Sequence, residues 1–367
     1  MNRRDLLSLS LVNRLFSDAA DIWIWRDVSL RTIPNAPFAP IERRLNFLLG
    51  RLDQGKMLTN LQLLYDAYLP EARVEYFRNS IGELLARSRS LTGLTLGGRC
   101  GRLEIPPVID RLSPSVHLVE LTFHLRLTPE LWDFVFSQPT IRRLVLNYCA
   151  GPPHVRYKLP DMPSHIPPNA LPQLEALLAP IELVTRLLPG RPVRCVAVQS
   201  LDFSAPSAFD LLWQAVELSS TALTALSIRA DSAHAFNTLL KILPRRTPYL
   251  RFLGVNIAVG HDRRWIPLPT AADLAPLRSL TVLECIRWES RLPLRFNSDP
   301  TDYAGPSLRY AQHEFSSSSG APHKCEGTWE IVNKKERVYW KLVPYFLASR
   351  VCTRWQELVC AIICFLI

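Results

Sequence analysis

The pattern L-x-x-L-x-L, apolar at its first, fourth and sixth positions, recurs along the chain. It occurs as LTNLQL from Leu58, LTGLTL from Leu91, LVELTF from Leu118 and IRRLVL from Ile141, the last running on to Cys149. LEAL at Leu174 and VRCVAV at Val193 are weaker copies, followed by LTALSI from Leu223, LRFLGV from Leu250 and LTVLEC from Leu280. SLRYAQH, whose leucine is Leu308, is a decayed last copy. Successive first positions lie 33, 27, 23, 33, 19, 30, 27, 30 and 28 residues apart. Alternate side chains of an extended segment share a face, so the fourth and sixth positions of each copy point into one interior. Each copy therefore predicts a short strand.

Between the strands the apolar period lengthens to that of a helix. Amphipathic segments over 70–88, 129–137, 208–218 and 232–243 predict helices that close each unit, and Pro70, Pro129 and Pro206 stand at or just before their starts. A missing N–H is tolerated there. Units of this size, near the roughly 20–29 residues of leucine-rich repeats, cannot bury their apolar faces alone and stack on their neighbours. An ordinary doubly wound α/β fold would want longer strands and a glycine-rich turn, whereas this chain has only 14 glycines in all. The fold class expected is α/β, a leucine-rich-repeat solenoid of short parallel strands alternating with helices.

A different pattern occupies the start. Over residues 5–22 the apolar side chains Leu6, Leu7, Leu9, Leu11, Val12, Leu15, Phe16, Ala19, Ala20 and Ile22 cover more than half of a helical wheel. A surface helix shows a narrower stripe, so this one needs cover on two sides. The stretch then ends on Trp23 and Trp25.

Composition narrows the setting. An apolar fraction of 48% with 21% charged residues is that of a globular protein, not a disordered one. Eight cysteines at 100, 149, 195, 285, 325, 352, 360 and 364 include no C-x-x-C pair and have no histidines at ligand spacing. That argues against a disulfide framework or a zinc site, and for a reducing cytoplasm or nucleus. The apolar run 358–367 is about half of what a bilayer-spanning helix needs, so no membrane association is expected. The net charge of +10 comes from 36 arginines and 7 lysines, scattered or in pairs such as Arg245-Arg246. No aromatic residues alternate with them as a single-strand groove requires, and nucleic acid is not an expected partner. No nucleophile elbow, zinc-protease helix or nucleotide-binding loop is present, so neither an enzyme nor a cofactor is expected. Gly97 to Arg102, rich in glycine, reads as the turn leaving a strand.

The N-terminal residues carry a resemblance. Asp5, Leu6, Leu7, Ser10, Val12, Arg14 and Phe16, followed by Ile24, Trp25, Arg26, Asp27 and Val28, resemble the second half of an F-box. Together with the repeats, this is similar to the F-box and leucine-rich-repeat proteins abundant in mushroom-forming fungi, whose middle regions the segment LLPGRPVRCVAV (187–198) also resembles. The first F-box helix, of the L-P-x-E type, has no counterpart before Asp5. The resemblance implies a non-catalytic substrate receptor of an SCF-type cullin-RING ubiquitin ligase, docking a Skp-type adaptor and an unidentified protein client. Adaptor contact would fall on Leu6, Leu9, Val12 and Phe16, a stripe at helical spacing, with Trp25 as its anchor. The client would meet exposed positions between the core leucines, such as Gln62, Thr92, Thr95, Glu120, Thr122, Arg142 and Arg143. The alternative is a leucine-rich-repeat scaffold without ligase association, its partial F-box only capping the stack.

The expected organisation is a partial F-box-like helical cap over 1–30, a connecting helix within 31–57, the repeats over 58–315, and a loop with a C-terminal capping segment over 316–367. Within the last, FLASRVCTRWQELV (346–359) reads as a capping helix and SSSSGAPH (316–323) as a surface loop.

Overall fold

In a computed structural model of the chain, the structure describes residues 8, 25–32, 39–51, 58–65, 71–98, 109, 112, 115–124, 128–146, 166–201, 206–230, 233–257, 275–290, 310–315, 324–334 and 337–343. These fall into two compact units, Met1–Leu174 and Glu175–Ile367. Apart from Ser8, the predicted helices at 5–22 and 346–359 and the loop at 316–323 lie outside the described residues.

The first unit holds strands β1 (Asp27–Thr32), β2 (Asn60–Tyr65), β3 (Gly93–Gly98), β4 (Glu120–His124) and β5 (Arg143–Leu146). They pair in parallel in chain order. Helices α1 (Ala39–Arg51), α2 (Glu71–Arg87) and α3 (Pro129–Ser137) connect them. Parallel neighbours need such crossovers, since a hairpin cannot join them. In α2 the buried apolar residues Phe77, Ile81, Leu84 and Leu85 fall at i, i+4, i+7 and i+8, the stripe of one helix face. In α3, Pro129 starts the helix, and Leu131, Trp132 and Val135 are buried.

The second unit continues with β6 (Ala176–Ala179), α4 (Ile181–Leu187), β7 (Cys195–Leu201), α5 (Pro206–Glu217), β8 (Ala225–Ala230), α6 (Ala233–Arg246), β9 (Phe252–Ile257), a short 3-10 helix (Ala275–Ser279), β10 (Cys285–Ser290) and β11 (Tyr310–Phe315). β6 to β11 are parallel. A final antiparallel pair, β12 (Lys324–Lys334) and β13 (Arg337–Val343), adds to β11. That pair lies where the sequence reading placed only a loop and a capping segment. The α/β class with parallel strands alternating with helices is therefore observed, and among the described residues no helix is long and apolar enough to cross a membrane.

Register ties the repeat to the fold. Leu61, Leu94, Leu121 and Leu144, the fourth positions, are cross-strand partners, as are the sixth positions Leu63, Leu96, Phe123 and Leu146. In the second unit Leu177, Val196, Leu226 and Leu253 do the same, with Ala179, Val198, Ile228 and Val255. All sixteen are buried. Burying a leucine or valine side chain contributes about 1.5–3 kcal/mol, so these rows are the main apolar store of the fold.

A second regularity concerns the backbone. The second-position carbonyl of each unit accepts two N–H groups from the next, those of its second and third positions. Arg26 O takes Thr59 N and Asn60 N, Thr59 O takes Thr92 N and Gly93 N, Thr92 O takes Val119 N and Glu120 N, and Val119 O takes Arg142 N and Arg143 N, all at 2.7–3.0 Å. Glu175, Arg194 and Thr224 repeat the arrangement in the second unit. The hydroxyls of Thr59, Thr92 and Thr224 donate to these same carbonyls.

This ladder corrects two readings. Glu284 N donates to Arg251 O, which makes Glu284 a second position and Leu283, not Leu280, the first. Ile286 accordingly pairs with Leu253, and Trp288 with Val255. Leu280 is instead the turn residue whose carbonyl accepts Leu283 N, the role Ser88, Gln138, Leu171 and Thr247 play for Leu91, Ile141, Leu174 and Leu250. At the other end, Val28 and Leu30 pair with Leu61 and Leu63, so W-R-D-V-S-L from Trp25 is a further copy of the repeat.

Candidate protein-interaction surface

Of the five residues expected to meet an adaptor, Leu6, Leu9, Val12 and Phe16 lie outside the described residues. Trp25 is described, half-buried, and fills the first position of the earliest copy. Its ring lies against Phe47 of α1, with centroids 4.8 Å apart and a tilt of 38°. Its indole Nε1 is buried and makes no hydrogen bond. An aromatic pair of this geometry contributes about 0.5–1.5 kcal/mol beyond its buried area. Phe47 keeps 43% of its surface exposed.

The client positions fall together in the first unit. Third, fifth and seventh positions alternate with the core positions and so share the other face of the sheet. In order from β1 the third positions are Asp27, Asn60, Gly93, Glu120 and Arg143, matched in register. The fifth are Ser29, Gln62, Thr95, Thr122 and Val145. The seventh are Arg31, Leu64, Gly97 and His124. Asp27, Ser29, Arg31, Asn60 and Glu120 are exposed, and Gln62, Leu64, Thr95, His124 and Arg143 are partly so. Thr122, expected to be available, is 8% exposed. Thr92 and Arg142 are exposed second positions, at the entry to their strands rather than on this face. Asp27, Ser29 and Arg31 went unnoticed because β1 opens on tryptophan, not leucine. The spacing W-x-x-V-x-L was the signal available.

Polar contacts organise the face. Asn60 Nδ2 donates to Asp27 Oδ1, and Arg143 Nη1 donates to Glu120 Oε1 at 2.7 Å. A Cβ at Gly93 would meet Asn60 Oδ1, the tip of a side chain that can turn aside. At Gly97 a Cβ would come within 2.9 Å of both the His124 Cβ and a Leu64 methyl. Burial holds the His124 imidazole below its usual pKa, so it is neutral at pH 7. Two carboxylates (Asp27, Glu120) therefore stand against two guanidinium groups (Arg31, Arg143).

The second unit differs. Its third positions Ala176, Cys195, Ala225 and Phe252 and its fifth positions Leu178, Ala197, Ser227 and Gly254 are all buried, with Cys195 a free thiol. Its most ordered polar feature is a corner, not a site. Gly190 takes φ +74° between α4 and β7, and the buried Arg191 turns back to donate to Leu187 O (3.2 Å) and Pro189 O (3.0 Å). Burial lowers the pKa of that guanidinium from its very high ordinary value, and the carbonyls at the C-terminal end of α4 are the partners a cation there prefers. This is the LLPGRP segment of the sequence, with a structural task.

Among the described residues no group of three or more histidine, cysteine, aspartate or glutamate side chains could hold a metal ion. No protein-family model matches the chain, and no curated protein is significantly similar to it.

Proposed function

We propose that the chain is a leucine-rich-repeat solenoid acting as a non-catalytic substrate receptor of an SCF-type cullin-RING ubiquitin ligase, in the cytoplasm or nucleus. The N-terminal stripe Leu6, Leu9, Val12 and Phe16 docks a Skp-type adaptor, and the polar face of β1–β5 holds a protein client. The observation that carries the reading is the strand frame, held in register from Trp25 onward, which joins the F-box-like residues directly to the repeats. The receptor works by proximity: holding a client lysine beside the charged conjugating enzyme raises its effective concentration.

The second reading is a repeat scaffold without ligase association, its first residues only closing the stack. The packing of Trp25 on Phe47 favours it, because the expected anchor is engaged within its own chain. Co-precipitation with a Skp-type adaptor separates the two. Wild-type chain is expected to bind, and Leu9→Asp with Val12→Asp to abolish binding while the melting curve stays that of a folded protein. A folded wild-type chain that fails to bind would sink the ligase reading.

A further inference from the structure

We infer that the client is held on the first unit along the ladder Ser29, Gln62 and Thr95, which takes an extended, uncharged segment. This deepens the receptor reading above and rests on it.

Location follows from the contrast between the units. The third and fifth positions of β6 to β9 are buried, whereas Asp27, Ser29, Asn60, Gln62, Thr95 and Glu120 of β1 to β4 reach solvent, with Gly93 and Thr122 closed. Chemistry follows from the side chains. Ser29, Gln62 and Thr95 are register neighbours that reach solvent, one per strand, at the sheet spacing of about 4.8 Å. Each carries both a donor and an acceptor, and none is hydrogen-bonded to another described side chain. On one flank run the Asp27–Asn60 and Glu120–Arg143 contacts.

Charge decides between partners. Among the described residues of the face, Asp27 and Glu120 are balanced by Arg31 and Arg143 and His124 is neutral, so these residues carry no net charge. An acidic or basic tail would gain no steering from it and would lose hydration on binding. A helix would need apolar knobs, and among the described residues of the face Leu64 is the one large apolar side chain partly exposed. An extended segment instead brings its own N–H and C=O groups to a row of donors and acceptors.

The test is selection of displayed random peptides on the full chain, followed by affinity measurement with synthetic copies. The expected winners are uncharged and rich in hydrogen-bonding side chains, with affinities nearly independent of salt. Gln62→Ala combined with Thr95→Val should weaken them about tenfold, the loss of two net hydrogen bonds. Arg194→Ala, an exposed position of the second unit, should leave them unchanged. Both variants keep every core position, and thermal melts confirm folding. Charged winners, no winners, or binding that survives the double variant overturns the inference. Adaptor co-precipitation uses neither set of residues. Its failure with the ladder result intact would remove the ligase reading alone.

Discussion

Gly97 and Gly93 show how one residue type does unlike work at adjacent places on a strand. At Gly93 the atom in the way of a Cβ is the tip of Asn60, which can rotate aside at the cost of its bond to Asp27. At Gly97 the obstacles are a His124 Cβ, fixed to the backbone of β4, and a Leu64 methyl. Gly97→Ala should therefore destabilise by about 1–3 kcal/mol, as overpacking does, and Gly93→Ala by about 1 kcal/mol, one hydrogen bond. Urea unfolding of the two variants checks the order. Equal costs would mean that β3 and β4 can part more readily than their register suggests.

At the scale of elements, the Leu188–Pro192 corner is where α4 hands over to β7. Arg191 satisfies carbonyls at the end of a seven-residue helix, too short to be stable by itself. Arg191→Met keeps the apolar stem and removes the donors. It should cost about 1–3 kcal/mol, the price of leaving buried carbonyls without partners. Arg191→Lys should recover part of that, since lysine donates but lacks the fork. Thermal unfolding of both variants is the measurement, and a silent Arg191→Met would assign the carbonyls other donors.

The same scale shows what the sequence made legible. Helices expected over 70–88, 129–137, 208–218 and 232–243 correspond to α2, α3, α5 and α6, because a stripe such as Phe77, Ile81, Leu84 and Leu85 has one reading only. The copy read from Leu280 slipped by three residues because Leu280 and Leu283 are both buried and both fit the motif. Only the bond from Glu284 N to Arg251 O tells them apart, and backbone bonding leaves no mark on side-chain identity. The polar face was partly legible. Gln62, Thr95, Glu120 and Arg143 were placed on it, but nothing in their types foretold that the matching positions of the second unit would be buried.

For the molecule as a whole, Trp25 links a role that the sequence assigned with one that only the strand register showed. As the first-position residue of the earliest copy it packs on Phe47, and as a tryptophan of an F-box-like stretch it was the expected anchor for an adaptor. Trp25→Ala should lower stability by about 2 kcal/mol, less than the 3–5 kcal/mol of a fully buried aromatic because the indole is only partly buried. The first-unit sheet should weaken with it. A variant that melts like wild type yet loses the adaptor would make the indole a docking residue instead.

The doubly accepting second-position carbonyls carry an evolutionary consequence. Copies begin anywhere from 19 to 33 residues apart, from Trp25 through Leu308, yet no residue is added between the first and sixth positions of any of them. An insertion there would uncouple a carbonyl from both amides of the following unit at once. Lengthening the connection after a strand disturbs neither. Descent in such a chain can thus gain or lose sequence freely in its connections while its strands stay locked. That is why its ancestry is written in a six-residue frame and not in a constant period.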